Sequence, residues 1–275
     1  MRMLAWTLVI LLSCHAPAPR AGDRLPRRGD EIVLCGQLFH TGTRVVLWTD
    51  PGGYDAYRAH KHRDETQPVP ARFGTYRRQL PDDVSRRVHT DGWDLEDLRR
   101  VVRQVVVHYD AAGTSARCFE ILHDHRGLSC HFMLDVDGTI YQTLDGKERA
   151  WHAGKANDVS IGIEIANLGA YPDPEEHPGL TVEGVIQGTT LYQRPFTDAQ
   201  YEALAKLCAT LVRVLPGIEP RFPRDEDGGV VPGVLPDEGA SFSGLLGHYH
   251  LTTAKVDPGP AFDWERLARA MEEVK

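Results

Sequence analysis

The chain lacks a basic cluster: 31 Lys and Arg stand against 39 Asp and Glu, for a net charge of −8 over 275 residues. Nucleic-acid binding rests on neutralising phosphates with Lys and Arg, so this balance argues against that class of partner. Cysteine is scarce. The five cysteines include no C-x-x-C pair, which removes the pattern of a zinc ribbon or a thioredoxin-like site. No apolar run reaches the roughly 20 residues needed to cross a bilayer, and no internal repeat is visible. What remains is ordinary for a globular chain, with 41% hydrophobic and 25% charged residues. The 13 histidines exceed what composition requires, although a lone histidine is more often structural than catalytic.

The N-terminus is the first informative segment. Residues 1–13, MRMLAWTLVILLS, join one basic residue to a short apolar stretch, the pattern of a secretory signal. Leu11-Leu12-Ser13-Cys14 resembles a bacterial lipobox, in which the cysteine is lipidated and becomes the new N-terminus. Residues 14–29 are rich in Pro, Ala and Arg without apolar periodicity and read as a tether. The expectation is an exported chain, lipid-anchored at a bacterial membrane and facing the periplasm from the outer membrane. An ordinary signal peptide with a chance cysteine is the plainer alternative. Export would permit disulfides, and Cys118 and Cys130, which flank one expected helix, form the best-placed pair.

Residues 30–92 read as an N-terminal extension. Strand-like alternation over 31–36 and 39–48 predicts a hairpin with its turn at 40–43, and 61–92 reads as irregular surface. Residues 93–275 then carry the signals of a mixed central β-sheet flanked by helices. Asp94 caps a short helix that runs through Arg103, and Val105-Val-Val is a buried strand. A helix over 115–126 ends at Gly127. A hairpin spans 131–142 around Asp135-Val-Asp-Gly138, and 160–165 is another central strand. Thr197 opens the clearest helix through a capping box to Gln200, and Pro216-Gly217 stops it. Residues 219–243 form a loop, and a helix over 263–274 closes the chain.

Three segments place metal-type side chains at strand ends or in loops: His108 after Val105–Val107, His248 with His250 close by, and Asp257 before a proline. Two imidazoles and one carboxylate leave an open tetrahedral position, as in a catalytic zinc site. Taken singly, each of these residues reads more readily as structural. Glu164, in Ile161-Gly-Ile-Glu-Ile165, is a carboxylate in an apolar strand, costly unless paired or functional. A cross-sheet salt bridge is its plainer explanation.

Several motifs then fall in one order: Val105-Val-Val-His-Tyr109, Ser129-Cys-His-Phe132, Arg149-Ala-Trp-His-Ala-Gly154, Ser160-Ile-Gly-Ile-Glu164, Gly247-His248 and Lys255-Val-Asp-Pro-Gly-Pro260. Together they resemble the zinc-dependent N-acetylmuramoyl-L-alanine amidases, the family shared with T7 lysozyme and the peptidoglycan recognition proteins, and more narrowly the anhydro-muropeptide branch. The resemblance runs from about residue 103 to about residue 268. It implies hydrolysis of the amide between the lactyl group of N-acetylmuramic acid and L-alanine, in peptidoglycan or its fragments. It also implies one zinc ion on His108, His248 and Asp257, with Glu164 as the proton-transferring carboxylate and Lys255 steadying the oxyanion. Trp151, His152 and Asn157 match a loop beside the substrate groove. Members that use a catalytic tyrosine carry it where Cys130 stands here, which moves the weight onto Glu164. A monomer acting on peptidoglycan or muropeptides is expected. The competing readings are a non-catalytic wall-binding lipoprotein and a zinc peptidase acting within the stem peptide. A Cys130 peptidase is weaker still, because nothing in its apolar hairpin would activate a thiolate.

Overall fold

The structure, a computed structural model, describes residues 19–61 and 71–274. The signal-like segment, Cys14 and the first part of the tether lie outside the described residues. The described chain begins with a hairpin of β1 (Glu31–Leu34) and β2 (Gln37–His40). Its turn is Cys35-Gly36, both residues left-handed at φ 50° and 69°, as a two-residue type I′ connection demands. The turn anticipated at 40–43 is instead the exit of the hairpin. There β3 (Val45–Leu47) leaves to pair in parallel with a strand of the central sheet. Burial decides this outcome, because Ile32, Leu34, Phe39, Val45 and Leu47 all enter the main core.

After β4 (Phe73–Gly74) comes α1 (Asp82–Asp91), where irregular surface was expected. Its apolar stripe is only Val84 and Val88, set against Val101 and half-buried Leu80 and Trp93. So thin a stripe among Arg and Asp leaves little periodicity to read. Next follow α2 (Leu95–Val101), β5 (Gln104–Tyr109) and α3 (Ser115–Phe119). The Asp94 side chain accepts from Asp97 N–H as the cap of α2. A wider π-helical turn, Glu120–Arg126, extends α3 to a left-handed Gly127. The central strands continue with β6 (Phe132–Leu134), β7 (Ile140–Gln142), β8 (Arg149–Ala150) and β9 (Ser160–Ile165).

Residues 166–196, which carried no sequence expectation, add a small antiparallel sheet of β10 (Ala170–Tyr171), β11 (Val182–Ile186) and β12 (Thr189–Gln193). Then come α4 (Asp198–Val214), with the Thr197–Gln200 capping box present, β13 (Gly244–Gly247) and α5 (Trp264–Glu273).

The six-stranded sheet has the order β13-β5-β9-β6-β7-β3. The first four strands are mutually parallel, and β7 runs against β6. The odd-numbered residues Val105, Val107, Ile161, Ile163 and Ile165 share one core with Leu204, Leu207 and Leu211 of α4 and with Trp264 and Leu267 of α5. By strand alternation, His108 and Glu164 occupy the opposite face. The anticipated Cys118–Cys130 bond is absent. Both are free, buried thiols that burial pushes well up from their ordinary values, and they serve as small apolar side chains.

The segment before residue 93 is tied to that second face by Arg77. Its guanidinium is 2% exposed and donates to four carbonyls: Gly146 (2.8 Å), Glu148 (2.9 Å), Ser160 (3.0 Å) and Asn157 (3.1 Å). Burial pulls its pKa down to about 10. A second polar corner, Asp30, Glu31 and His40, closes the hairpin, and there Arg27 and the backbone N–H groups of Arg28 and Gly29 serve Glu31. Replacing Arg77 with Met keeps volume but strands buried carbonyls. Arg77→Met should therefore lower unfolding free energy by roughly 3–5 kcal/mol in a urea titration. A loss under 1 kcal/mol would mean that water replaces the guanidinium.

Candidate active site

Strand register builds the site. Across β5 and β9, His108 stands directly beside Glu164. Gly247, the last residue of β13, is level with Val107, so His248 emerges beside His108. Three parallel strands therefore deliver two imidazoles and a carboxyl to one edge of the sheet, at their carboxyl ends. Asp257 arrives from the loop after β13, whose fold is fixed in part by a Tyr249 N–H bond to the Asp257 carbonyl at 3.1 Å.

The imidazoles of His108 and His248 converge on one oxygen. Asp257 Oδ2 lies 2.7 Å from His108 Nδ1 and 3.1 Å from His248 Nδ1. All three residues are buried, and their ligand atoms lie within 4.8 Å of one another. Burial pushes the Asp257 carboxyl up, but the closeness of the His108 and His248 rings outweighs it and holds it below the usual range. His108 is moved the other way: burial, with repulsion from His248, lowers its pKa against the pull of Asp257. A carboxylate held charged between two imidazoles is a donor set for a divalent cation. These three residues could hold one.

His250 is not part of this set. Its Nδ1 accepts from Gly247 N–H at 2.8 Å and its Nε2 meets the Val231 carbonyl at 2.9 Å, so both ring nitrogens are engaged elsewhere. Glu164 stands apart in a different sense. It is 9% exposed, and among the described residues it makes no side-chain hydrogen bond or ion pair. The cross-sheet salt bridge is therefore not formed. Burial raises its pKa well above normal, Asp257 and Asp110 add repulsion, and Lys255 and Arg126 offset part of it. Lys255 is exposed on the loop before Asp257, and its charge is felt at both Glu164 and His108.

The 151–157 loop lies behind His108. Asn157 Oδ1 accepts from the N–H groups of His152 (3.1 Å) and Ala153 (2.6 Å), clamping the loop. The His152 ring sits between His108 Nε2 (3.0 Å from its Nδ1) and Ser160 Oγ (3.2 Å from its Nε2). Trp151 is half-buried, and its backbone N–H donates to Ser129 Oγ at 3.0 Å. Cys130 is fully buried and protonated, unsuited to nucleophilic work. Its neighbour His131 is structural, linking Glu148 carbonyl (3.0 Å) to Gly162 N–H (3.0 Å).

Sequence reasoning did not anticipate two parts of the site. One is Ser160, whose only signal was its place at the head of the S-I-G-I-E strand. The other is a cleft of about 400 Å³ beside His248, lined by Lys155, Asp237, Glu238 and Thr252 among others. Its outer wall comes from the 219–243 loop, where composition alone says nothing of shape.

Residues 98–260 match the family described as N-acetylmuramoyl-L-alanine amidase (Amidase_2). Among curated relatives, the chain is 30% identical over 152 residues to the 1,6-anhydro-N-acetylmuramyl-L-alanine amidase AmpD of Salmonella typhimurium, covering 52% of this chain and 57% of that one. It is 24% identical over 204 residues to the N-acetylmuramoyl-L-alanine amidase AmiD of Escherichia coli, covering 66% and 60%. The solved structure of E. coli AmiD overlays 62% of this chain and 57% of its own, at 25% identity and a TM-score of 0.43. The chain thus spans little more than half the length of the AmpD relatives it matches. Fold and site define a mixed α/β protein with a two-histidine, one-carboxylate centre at the ends of parallel strands. With more than half its length matched, the chain belongs to the N-acetylmuramoyl-L-alanine amidase family.

The unpaired Glu164 has a measurable cost. A carboxyl whose folded pKa is raised contributes most stability below its unfolded pKa, and that contribution is lost as pH rises through the folded value. In the metal-free protein, Glu164→Gln should raise the melting temperature at pH 8 and leave it nearly unchanged at pH 4. A variant less stable than wild type at pH 8 would reveal a partner for the carboxylate.

Proposed function

We propose that this chain hydrolyses the amide bond between the lactyl group of N-acetylmuramic acid and the L-alanine of the stem peptide. The AmpD relatives are named for 1,6-anhydro-N-acetylmuramyl-L-alanine, which makes anhydro fragments of peptidoglycan the favoured substrate class. One observation carries the reading beyond family membership: Glu164 is a buried carboxyl that makes no side-chain hydrogen bond or ion pair among the described residues, and it stands level with His108 across β5 and β9. A buried carboxyl without a partner among the described residues is a candidate for chemistry.

His108, His248 and Asp257 would hold a zinc ion, which when bound supplies Lewis-acid chemistry at the scissile carbonyl. Glu164 accepts the proton of the attacking water and returns it to the departing alanine nitrogen. Burial raises its pKa from the ordinary carboxylate range, in the direction that a group returning a proton to a leaving nitrogen requires. Lys255 sits exposed at the rim, from where its charge reaches the site and would stabilise the developing oxyanion. The clamp formed by Asn157 holds the 151–153 loop as one wall, with Trp151 half-exposed for contact with sugar or peptide.

Digestion of purified anhydro-muropeptides followed by mass analysis tests the reading. Free stem peptide and peptide-free sugar are expected. Shortened peptides still attached to sugar would point to a peptidase within the stem, and intact substrate to a wall-binding protein without activity. Chelation should abolish turnover and zinc restore it. Glu164→Gln should cut turnover by about 10²–10⁴-fold with zinc content unchanged. Near-normal turnover in that variant would send the search for the base elsewhere.

We also propose that residues 1–13 direct export and that Cys14 is lipidated, holding the domain at a bacterial membrane through the 14–29 tether. The support is the lipobox-like Leu11-Leu12-Ser13-Cys14. Stable attachment takes more than one acyl chain, a need that a diacylglyceryl-modified cysteine meets. Cys14→Ala should move the protein from the membrane pellet to the soluble fraction. A mutant that still sediments with membranes would refute the anchor.

A further inference from the structure

The polar chain behind His108 has a direction, and its far end sets it. Ser160 Oγ donates to the Ala156 carbonyl at 2.7 Å, and a carbonyl can only accept. Ser160 has one proton, so its 3.2 Å contact with His152 must be donated by His152 Nε2–H. A neutral imidazole with its proton on Nε2 presents a lone pair at Nδ1. That lone pair lies 3.0 Å from His108 Nε2, which therefore donates to it. His108 is then left with a lone pair at Nδ1, facing Asp257 Oδ2 at 2.7 Å. Two acceptors at that distance repel each other unless a cation sits beside both.

We infer that His152 is a positioning residue: through the relay Ala156–Ser160–His152 it holds His108 in its Nε2–H tautomer and reserves Nδ1 for the metal. The inference rests on the metal reading proposed above. Ring nitrogens of metal-bound histidines are commonly fixed by such an outer partner, most often a carboxylate or a carbonyl. Here the partner is a second imidazole, anchored in turn by a serine on the neighbouring strand. Gly162 makes room for it. A Cβ at that position would stand 2.7 Å from His152 Cγ and Nδ1, so only glycine lets the ring lie against β9. This accounts for both the serine and the glycine of the S-I-G-I-E strand, neither of which touches Asp257 or His248.

The test uses the full chain stripped of metal and titrated with Zn²⁺, with circular dichroism to verify folding. His152→Ala should weaken zinc binding by about 10–100-fold, the usual cost of losing an outer-shell partner. His152→Gln should recover much of that, since its amide oxygen can accept from His108 Nε2–H. Ser160→Ala frees the His152 tautomer and should also weaken binding, and it carries the test if His152→Ala does not fold. Imidazole ¹⁵N spectra of the zinc-loaded wild type should place the His108 proton on Nε2. Wild-type affinity in both His152→Ala and Ser160→Ala, or a proton on His108 Nδ1, overturns the inference while leaving the metal reading intact. A wild-type chain that takes up no zinc overturns the metal reading and this inference with it.

Discussion

The parallel pairing of β13, β5 and β9 is the constraint from which the site follows. Parallel strands in register end at one level, so residues at or just past their carboxyl ends appear at a common rim. Here those residues are His248, His108 and Glu164. A slip of one residue in β9 would turn Glu164 toward α4 and bury a carboxyl in the apolar core. Ile161, Ile163 and Ile165 prevent that slip, because all three are needed on the α4 side. The hydrophobic core thus sets the register, and the register sets the chemistry.

The same rim gives two buried carboxyls opposite characters. Asp257 receives two imidazoles and is held charged below its ordinary range. Glu164 lies next to one of those imidazoles across the strand pair but receives no hydrogen bond, and burial drives it toward the neutral form. Fold stability gains nothing from that arrangement. One rim therefore holds one carboxyl toward its charged form and one toward its neutral form, by burial and by what lies beside each.

Elements outside the central strands act as walls and fasteners. β3 extends the sheet at the edge far from the site, and Arg77 binds the preceding segment to the 146–160 region by four carbonyls. The loop clamped by Asn157 and the Asp237–Thr252 region then flank a cleft that opens onto His248. The rigid sheet fixes the imidazoles. The loops around it, less constrained by burial, shape what can approach them.

Much of this was legible in the sequence, for local reasons. Val105–Val107 and the Ile161–Ile165 alternation announce buried strands, the Thr197–Gln200 box announces α4, and ordered motifs point to His108, Glu164, His248 and Asp257. The hairpin turn, helix α1 and the 166–196 sheet were not legible. Cys35-Gly36 competes with a more polar turn candidate, the α1 stripe is two residues wide, and β11 alternates over a partly exposed face. Composition could not separate His248 from His250 either, since both follow the same strand. Only the tertiary structure decides that point. It spends both nitrogens of His250 on backbone groups and turns His248 to Asp257. Periodicity and capping are properties of neighbours in sequence, whereas the direction of a hydrogen-bonded ring depends on groups far apart in the chain.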